Sequence, residues 1–166
     1  MPNSIKRSPI SGGQVIAALV AILFATAVLP PAAAWALNKS RVAQTQERVS
    51  TALGRMRPGG NEAGNFTSSS GIVCGPGRLP DSKPSMVVDP SSVAAHGAWL
   101  REAKMAPEMF AAGMPTDAWG RCFLLNAGDW ASSGPVWLLS AGPNGLIDTA
   151  PTDGSLRGDD IGGRLR

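Results

Sequence analysis

The feature that most constrains this chain is an uncharged apolar segment near its N-terminus, from Val15 to Leu29. As a helix it measures about 22 Å at 1.5 Å per residue, which is shorter than the roughly 30 Å hydrocarbon core of a bilayer. Continuation through Pro30 and Pro31 to Leu37 gives enough length, and proline is tolerated in membrane helices. The segment therefore predicts a membrane span, with Trp35 near the membrane surface.

The residues that follow predict an amphipathic continuation of this helix. Between Asn38 and Met56, apolar residues recur at helical spacing on one face; they are Val42, Val49, Leu53 and Met56. Pro58 and the two glycines after it end the helix. The alternative is a cleaved secretory signal, with Ala32–Ala34 as the cleavage site. A signal peptide has no need of the amphipathic half, so the pattern favours a retained anchor.

The charge of the chain is divided between its two parts. Residues 1–57 carry seven Lys and Arg against one acid, whereas residues 58–166 carry eight against eleven. The four lysines form no run, and nucleic-acid binding requires clustered cations. His96 is the only histidine, which excludes a Ser-His or Cys-His pair and a multi-histidine zinc site within one chain. We therefore expect neither a nucleic-acid-binding protein nor an enzyme.

The middle of the chain, residues 58–85, is rich in Gly, Ser and Pro and predicts loop with a short strand at residues 71–74. Residues 86–88 are a candidate strand, and Asp89-Pro90 begins a predicted helix over residues 92–105. We expect His96, in that helix, at the surface or the core edge without a ligand role. The two cysteines, Cys74 and Cys122, permit either a disulfide or two buried thiols. Asn65-Phe66-Thr67 matches the short N-glycosylation triplet.

The C-terminal third predicts two antiparallel strands followed by an acidic loop. The apolar runs are residues 122–125 and 136–140, and acidic residues follow the second run; they are Asp148, Asp153, Asp159 and Asp160. Carboxylates at flexible spacing suit Ca²⁺ better than zinc. A solvated acidic tail is the other interpretation. Asp148 and Asp159 as a catalytic pair lack any accompanying substrate-binding residues.

The two ends of the chain resemble the type II secretion pseudopilins, particularly the major pseudopilin, within the type IV pilin-like superfamily. The resemblance at the C-terminus rests on a Pro-x-Asp-x-Trp-Gly turn, a Ser-x-Gly-x-x-Gly turn and an Asp-Asp-Ile sequence. The matching residues are Pro115, Asp117, Trp119, Gly120, Ser140, Gly142, Asn144, Gly145, Asp159, Asp160 and Ile161. The N-terminal helix also agrees with the family, whereas residues 58–114 are largely unmatched.

The resemblance implies an α+β, pilin-like fold, with a long helix that is apolar and then amphipathic, a small C-terminal antiparallel sheet and an acidic loop. The implied organisation is a leader or cytoplasmic tail over residues 1–13, a membrane and amphipathic helix over 14–57, and a periplasmic domain over 58–166. It implies a Ca²⁺ site at Asp148, Asp159 and Asp160, completed by loop carbonyls.

The same resemblance implies a structural subunit of the bacterial inner membrane, with a single membrane pass. Its expected partners are other pseudopilin subunits, bound through the N-terminal helix, the inner-membrane assembly machinery and membrane lipid. Two positions depart from the family pattern: Gln14 follows Gly13 where the family has Phe, and Ala18 occupies the position of the family's Glu. The competing hypothesis is an anchored or secreted periplasmic binding module that uses the acidic loop.

Overall fold

The computed structural model describes residues 12–27, 29–57, 71–81, 88–106 and 113–166. The chain divides into two compact units, residues 1–39 and 40–166. The helices and strands are α1 (Gly12–Ala27), α2 (Leu29–Met56), β1 (Ile72–Cys74), α3 (Pro90–Glu102), β2 (Ala103–Met105), β3 (Leu124–Asn126), a 3₁₀ helix (Ala127–Ala131), β4 (Trp137–Ser140) and β5 (Ile161–Arg164). The predicted leader residues 1–11 and the Asn65 triplet lie outside the described residues.

The first unit exposes its apolar side chains. No side chain of α1 is buried within the chain, and Ile16, Leu23 and Phe24 are each at least 60% exposed. Within Gly12–Met56 an 18-residue window reaches a mean hydropathy of 2.4, so this is a helix long and apolar enough to cross a membrane.

Pro30 and Pro31 lie within a helical segment that extends from Gly12 to Met56, as the sequence predicts. Proline is tolerated inside a membrane helix, where it bends the element instead of ending it.

The second unit is built on one five-stranded sheet in the order β2-β1-β3-β4-β5. The pairs β1–β3, β3–β4 and β4–β5 are antiparallel, whereas β1 and β2 are parallel. The predicted strand at residues 71–74 and the two C-terminal strands are confirmed. The expectation of a purely antiparallel sheet is wrong, because β2 joins the sheet after the α3 crossover.

The end of α3 differs from its prediction for the same reason. The helix spans Pro90–Glu102, and residues 103–105 continue as β2 instead of completing a helix to 105. Pairing of Ala103, Lys104 and Met105 with β1 outweighs their helical preference. The predicted cap is confirmed, since the Asp89 side chain accepts a hydrogen bond from Ser91 N at 2.8 Å. Of the candidate strand at 86–88, only Val88 is described, and it is not in a strand.

Apolar side chains cover both faces of the sheet. One cluster joins the C-terminal half of α2 to the sheet; its buried members include Val49, Leu53, Met56, Phe123, Leu125 and Leu138. The other joins Trp99 of α3 to the opposite set; it includes Ile72, Leu124, Trp137, Leu139 and Ile147. Adjacent leucines on β3 and β4 enter different clusters because alternate strand side chains point to opposite faces.

A disulfide lies within the second cluster. Cys74 and Cys122 are bonded, with their Cα atoms 5.7 Å apart, and neither is exposed to solvent. The sequence left the disulfide and the free thiols open, and the structure has the disulfide. It connects β1 with the residues immediately before β3.

Candidate cation site

A buried aspartate organises the turn at residues 115–121, which we call the Asp117 turn. The Asp117 carboxylate is 1% exposed. Its Oδ1 accepts hydrogen bonds from Trp119 N at 2.9 Å and Arg121 N at 2.8 Å, and its Oδ2 accepts one from Ser140 Oγ at 2.8 Å. Gly120 has a φ of +76°, which glycine adopts without strain. The Pro-x-Asp-x-Trp-Gly motif therefore encodes a turn whose central carboxylate is fully used by the protein.

The residues between β4 and β5, 141–160, form the acidic loop. Asp160 lies at its end and is only 8% exposed. Its Oδ2 accepts hydrogen bonds from Asp148 N at 2.9 Å and Thr149 N at 2.7 Å. Its Oδ1 is buried and has no hydrogen-bond partner among the described residues. One oxygen of Asp160 thus fixes the loop, and the other is unsatisfied.

Asp159 has the same division of its two oxygens. Its Oδ2 accepts a hydrogen bond from Asn144 N at 2.9 Å, while its Oδ1 is also buried without a partner in the described part of the chain. The side chain of Asn144 donates to Asp148 Oδ2 at 3.3 Å. Asn144 therefore connects Asp148 with Asp159, and the three predicted aspartates lie together in the loop.

Two glycines allow the loop to close around these carboxylates. Gly142 and Gly158 have φ values of +54° and +58°. A Cβ at Gly142 would overlap the Asp159 carbonyl, and a Cβ at Gly158 would overlap the Asp148 carboxylate. Both positions therefore require glycine for backbone conformation and for space.

Burial shifts the titration of the two C-terminal aspartates. Desolvation raises the pKa of Asp160 from 3.8 to about 7, the Asp148 charge adds to this effect, and the hydrogen bonds from Thr149 and Asp148 oppose it. Burial also raises the pKa of Asp159, and the nearby Asp148 charge acts in the same direction. Neighbouring carboxylates that resist ionisation together are stabilised by a cation placed between them.

These donors fit a hard cation better than a soft one. All the side-chain donors are oxygens, as Ca²⁺ prefers, and two of them are orphaned and buried. Among the described residues, no group of three or more His, Cys, Asp or Glu side chains could hold a metal ion. A Ca²⁺ ion at this loop would need backbone carbonyls or water besides the carboxylates, and Ca²⁺ takes both readily.

Asp153, the remaining acid of the loop, has a structural role. Its Oδ2 lies 2.9 Å from Arg157 Nε and accepts a hydrogen bond from Ala150 N at 2.7 Å. This pairing keeps Asp153 out of the cluster formed by the other three.

His96 contacts the acidic loop, although the sequence predicts only an edge position for it. The ring is 5% exposed, and its Nδ1 accepts a hydrogen bond from Ile147 N at 2.9 Å. The proton is therefore on Nε2, which donates to the Asp81 carbonyl at 2.5 Å. Burial lowers the pKa of His96, in agreement with a neutral ring. The ring thus connects α3 to the residue before Asp148, a long-range contact that no local pattern indicates.

The acidic loop also contacts Arg121, which the sequence did not single out. Arg121 is 5% exposed; its Nη1 donates to the Gly142 carbonyl at 2.7 Å, and its Nη2 lies 3.3 Å from Asp81 Oδ2. Arginine is rarely buried to this extent, but burial is a property of the folded chain and cannot be read from the sequence.

Comparisons of this chain with protein-family models, with curated proteins and with solved structures find no match.

Proposed function

We propose that this protein is a pseudopilin-like structural subunit of a type II secretion or type IV pilus-like filament. It is anchored in the bacterial inner membrane by one helix, and its C-terminal domain lies in the periplasm. The observation that supports this most is the contrast along the helical segment. Residues of α1 expose their apolar side chains, whereas Val49, Leu53 and Met56 of α2 are buried in the domain core.

The apolar side chains of α1 are exposed among the described residues, which supports their burial in lipid or against another subunit. Each exposed Leu, Ile or Phe side chain forgoes about 1.5–3 kcal/mol of burial free energy in water. Lipid removes this cost for single chains, and helix packing between subunits removes it in a filament. Lys39 Nζ lies 5.3 Å from the centre of the Trp35 ring, a pairing that suits the polar boundary of a bilayer.

The disulfide supports the proposed orientation. Disulfides persist in the bacterial periplasm and are rare in the cytosol. The bond between Cys74 and Cys122, both in the unit of residues 40–166, supports a proposal in which that unit lies on the oxidising side of the membrane.

In this proposal the acidic loop holds Ca²⁺. Asp148, Asp159 and Asp160 supply the carboxylates, and loop carbonyls complete the site. The ion supplies positive charge that offsets repulsion among the carboxylates, and the protein positions their oxygens through Asn144 and the backbone N–H groups of Asp148 and Thr149. The role is structural, with no reaction step.

A groove beside the same loop favours the competing function, a periplasmic binding module. It has a volume of about 410 Å³ and lies between α3 and the loop, with Ser91, Ala98, Asp148 and Arg157 in its walls. The volume matches that of small-molecule sites, which span about 300–1,000 Å³.

The mature N-terminus and the contacts of α1 test the structural proposal. Intact mass of the chain purified from membranes is expected to show loss of residues 1–13. A start near Trp35 contradicts the proposal, because it removes the anchor.

Photo-crosslinking tests assembly. A benzoylphenylalanine at Leu23, which is 66% exposed on α1, is expected to give a ladder of adducts between copies. Val93 is the matched control, since it is apolar and 45% exposed on α3. Equal ladders from both positions, or none from Leu23, contradict packing through the N-terminal helix.

A further inference from the structure

The Asp117 turn and the acidic loop share a chain of hydrogen bonds. Ser140 Oγ donates to Asp117 Oδ2 at 2.8 Å and accepts a hydrogen bond from Gly142 N at 3.3 Å. The Ser140 hydroxyl therefore links the Asp117 carboxylate of the turn to Gly142, the second residue of the acidic loop. Both side chains are buried, so water does not compete for these bonds.

Gly142 is held on its other side by the same turn. Arg121 donates its backbone N–H to Asp117 Oδ1 at 2.8 Å and its guanidinium Nη1 to the Gly142 carbonyl at 2.7 Å. Gly142 also packs so closely on Asp159 that no Cβ fits between them. Asp159, Gly142, Ser140 and Arg121 are therefore in continuous contact.

On its opposite side the turn is bonded to α2. Arg48 Nη1 donates to the carbonyls of Thr116 at 2.7 Å and Asp117 at 3.0 Å. Thr45 is fully buried, and its Oγ1 accepts a hydrogen bond from Ala118 N at 3.1 Å. Two side chains of α2 therefore hold the backbone of the turn whose aspartate holds the acidic loop.

We propose that Asp117 and Ser140 couple cation binding in the acidic loop to the seating of α2 on the Asp117 turn. This inference rests on the proposed cation site. An ion that restrains Asp159 also restrains Gly142, Ser140 and the turn, and the reciprocal effect follows from thermodynamic linkage. A helix that joins a filament is then fixed more firmly to its domain when the loop is occupied. Contiguity alone does not establish such coupling, so it has to be measured as an interaction between variants.

The test is calcium titration by calorimetry on the full-length chain in detergent micelles. Thr45→Val removes one hydroxyl from α2 and keeps the side-chain shape. We expect this variant to weaken Ca²⁺ binding about fivefold. Thr45 lies on α2 and its hydroxyl is bonded to the Asp117 turn, not to the acidic loop, so a weaker affinity would report coupling between the two regions. Ser140→Ala is expected to weaken binding at least as much. In the double variant, Thr45→Val should add no further loss, because Ser140 carries the coupling.

Two control variants separate coupling from general destabilisation. Val49→Ala removes core packing from the same helix and is expected to leave the calcium affinity unchanged. Ser132→Ala removes a hydroxyl with the same local pattern, since Ser132 Oγ donates to the Asp129 carbonyl and accepts from Gly134 N. It should also leave the affinity unchanged.

Hydrogen exchange at the Ala118 amide gives a reading that needs no cation. Ser140→Ala is expected to accelerate that exchange at least tenfold, and Ser132→Ala is not. Unchanged exchange at Ala118, unchanged affinity in Thr45→Val, or additive losses in the double variant each overturn the coupling. If the wild-type chain binds no Ca²⁺, the cation site is overturned first and the coupling with it.

Discussion

The Asp117 turn and the acidic loop both bury carboxylates, and they use the oxygens differently. In the turn, both oxygens of Asp117 accept hydrogen bonds, three in total, from backbone and from Ser140. In the loop, Asp159 and Asp160 each have one bonded oxygen and one buried oxygen without a partner among the described residues. The carboxylate of the turn is fully hydrogen-bonded, and the buried atom of the turn that lacks a partner in the described part of the chain is a nitrogen, Arg121 Nε. In the loop, the unpartnered atoms are carboxylate oxygens, which can bind a cation.

This difference makes the loop, and not the turn, the region that we propose as a site. A buried polar atom without a partner costs about 1–3 kcal/mol, so two of them represent free energy that a ligand can recover. A carboxylate whose oxygens all accept hydrogen bonds gains no such free energy from a ligand, and its removal only destabilises the fold. Predictions that compare the two regions therefore separate stability from binding.

The largest effect is expected at the disulfide that follows the turn. Replacing Cys74 and Cys122 with alanine opens a bridge between residues 48 apart in sequence, which corresponds to about 4 kcal/mol in the chain-entropy treatment. Denaturant unfolding of the full chain measures the loss. A reductant should reproduce it in the wild type and have no effect on the double variant. A loss under about 1 kcal/mol contradicts a stabilising bridge.

Asp117 comes next. Asp117→Ala leaves two buried N–H groups and one hydroxyl without their acceptor, and it is expected to cost about 3 kcal/mol of unfolding free energy. Asp117→Asn keeps one acceptor oxygen and should cost less. Asp159→Ala is the comparison from the loop. It removes one exposed hydrogen bond, from Asn144 N to Oδ2, and also removes a buried oxygen that has no partner among the described residues, so without calcium it should cost under about 1 kcal/mol. Equal losses at both positions contradict the distinction between the regions.

The elements of the fold that the sequence predicts are those determined by a few neighbouring residues. The apolar segment, the Asp89 cap and the strands at residues 72–74, 124–126 and 137–140 follow from spacing and turn residues in a few neighbouring positions. The parallel strand β2 does not, because Ala103–Met105 becomes a strand only through pairing with β1.

The candidate site divides in the same way. The local pattern predicts an acidic loop after the second strand, and it was the resemblance to the pseudopilins that selected Asp148, Asp159 and Asp160 within it. The sequence did not identify Asn144 as the link between Asp148 and Asp159, nor His96 and Arg121 as contacts of the loop. Apart from the bond between Asn144 and Asp148, which are four residues apart, those bonds join residues from 15 to 51 positions apart, and side-chain periodicity carries no information on them.

Calcium tests the loop without touching the turn. At a free Ca²⁺ concentration 100 times its Kd, the full chain is expected to gain about 2.7 kcal/mol of stability, which a chelator reverses. Asp159→Asn combined with Asp160→Asn should abolish the gain. Asp153→Asn should preserve it, since Asp153 pairs with Arg157 instead. No response of the wild type to calcium means that the acidic loop is solvated without a bound cation.

The smallest effect is a pH dependence that distinguishes the unsatisfied Asp160 from the satisfied Asp117. Because the pKa of Asp160 is raised from 3.8 to about 7 in the folded protein, the folded state retains a proton that the unfolded state has lost. The resulting stability is present below pH 3.8 and is lost as pH rises through about 7. His96 acts in the opposite direction, since its pKa is lowered and its contribution to stability is lost as pH falls below its ordinary value of 6.5.

Subtracting the unfolding free energy of Asp160→Asn from that of the wild type removes the contribution of His96, because both proteins contain it. In chelator, this difference should fall by about 1.4 kcal/mol or more between pH 5 and pH 8, since each pKa unit corresponds to about 1.4 kcal/mol. Calcium should reverse the trend, because the ion binds the deprotonated carboxylate that high pH supplies. A flat difference in chelator means that Asp160 is ionised in the folded protein, and the loop then needs no cation to offset the burial of that side chain.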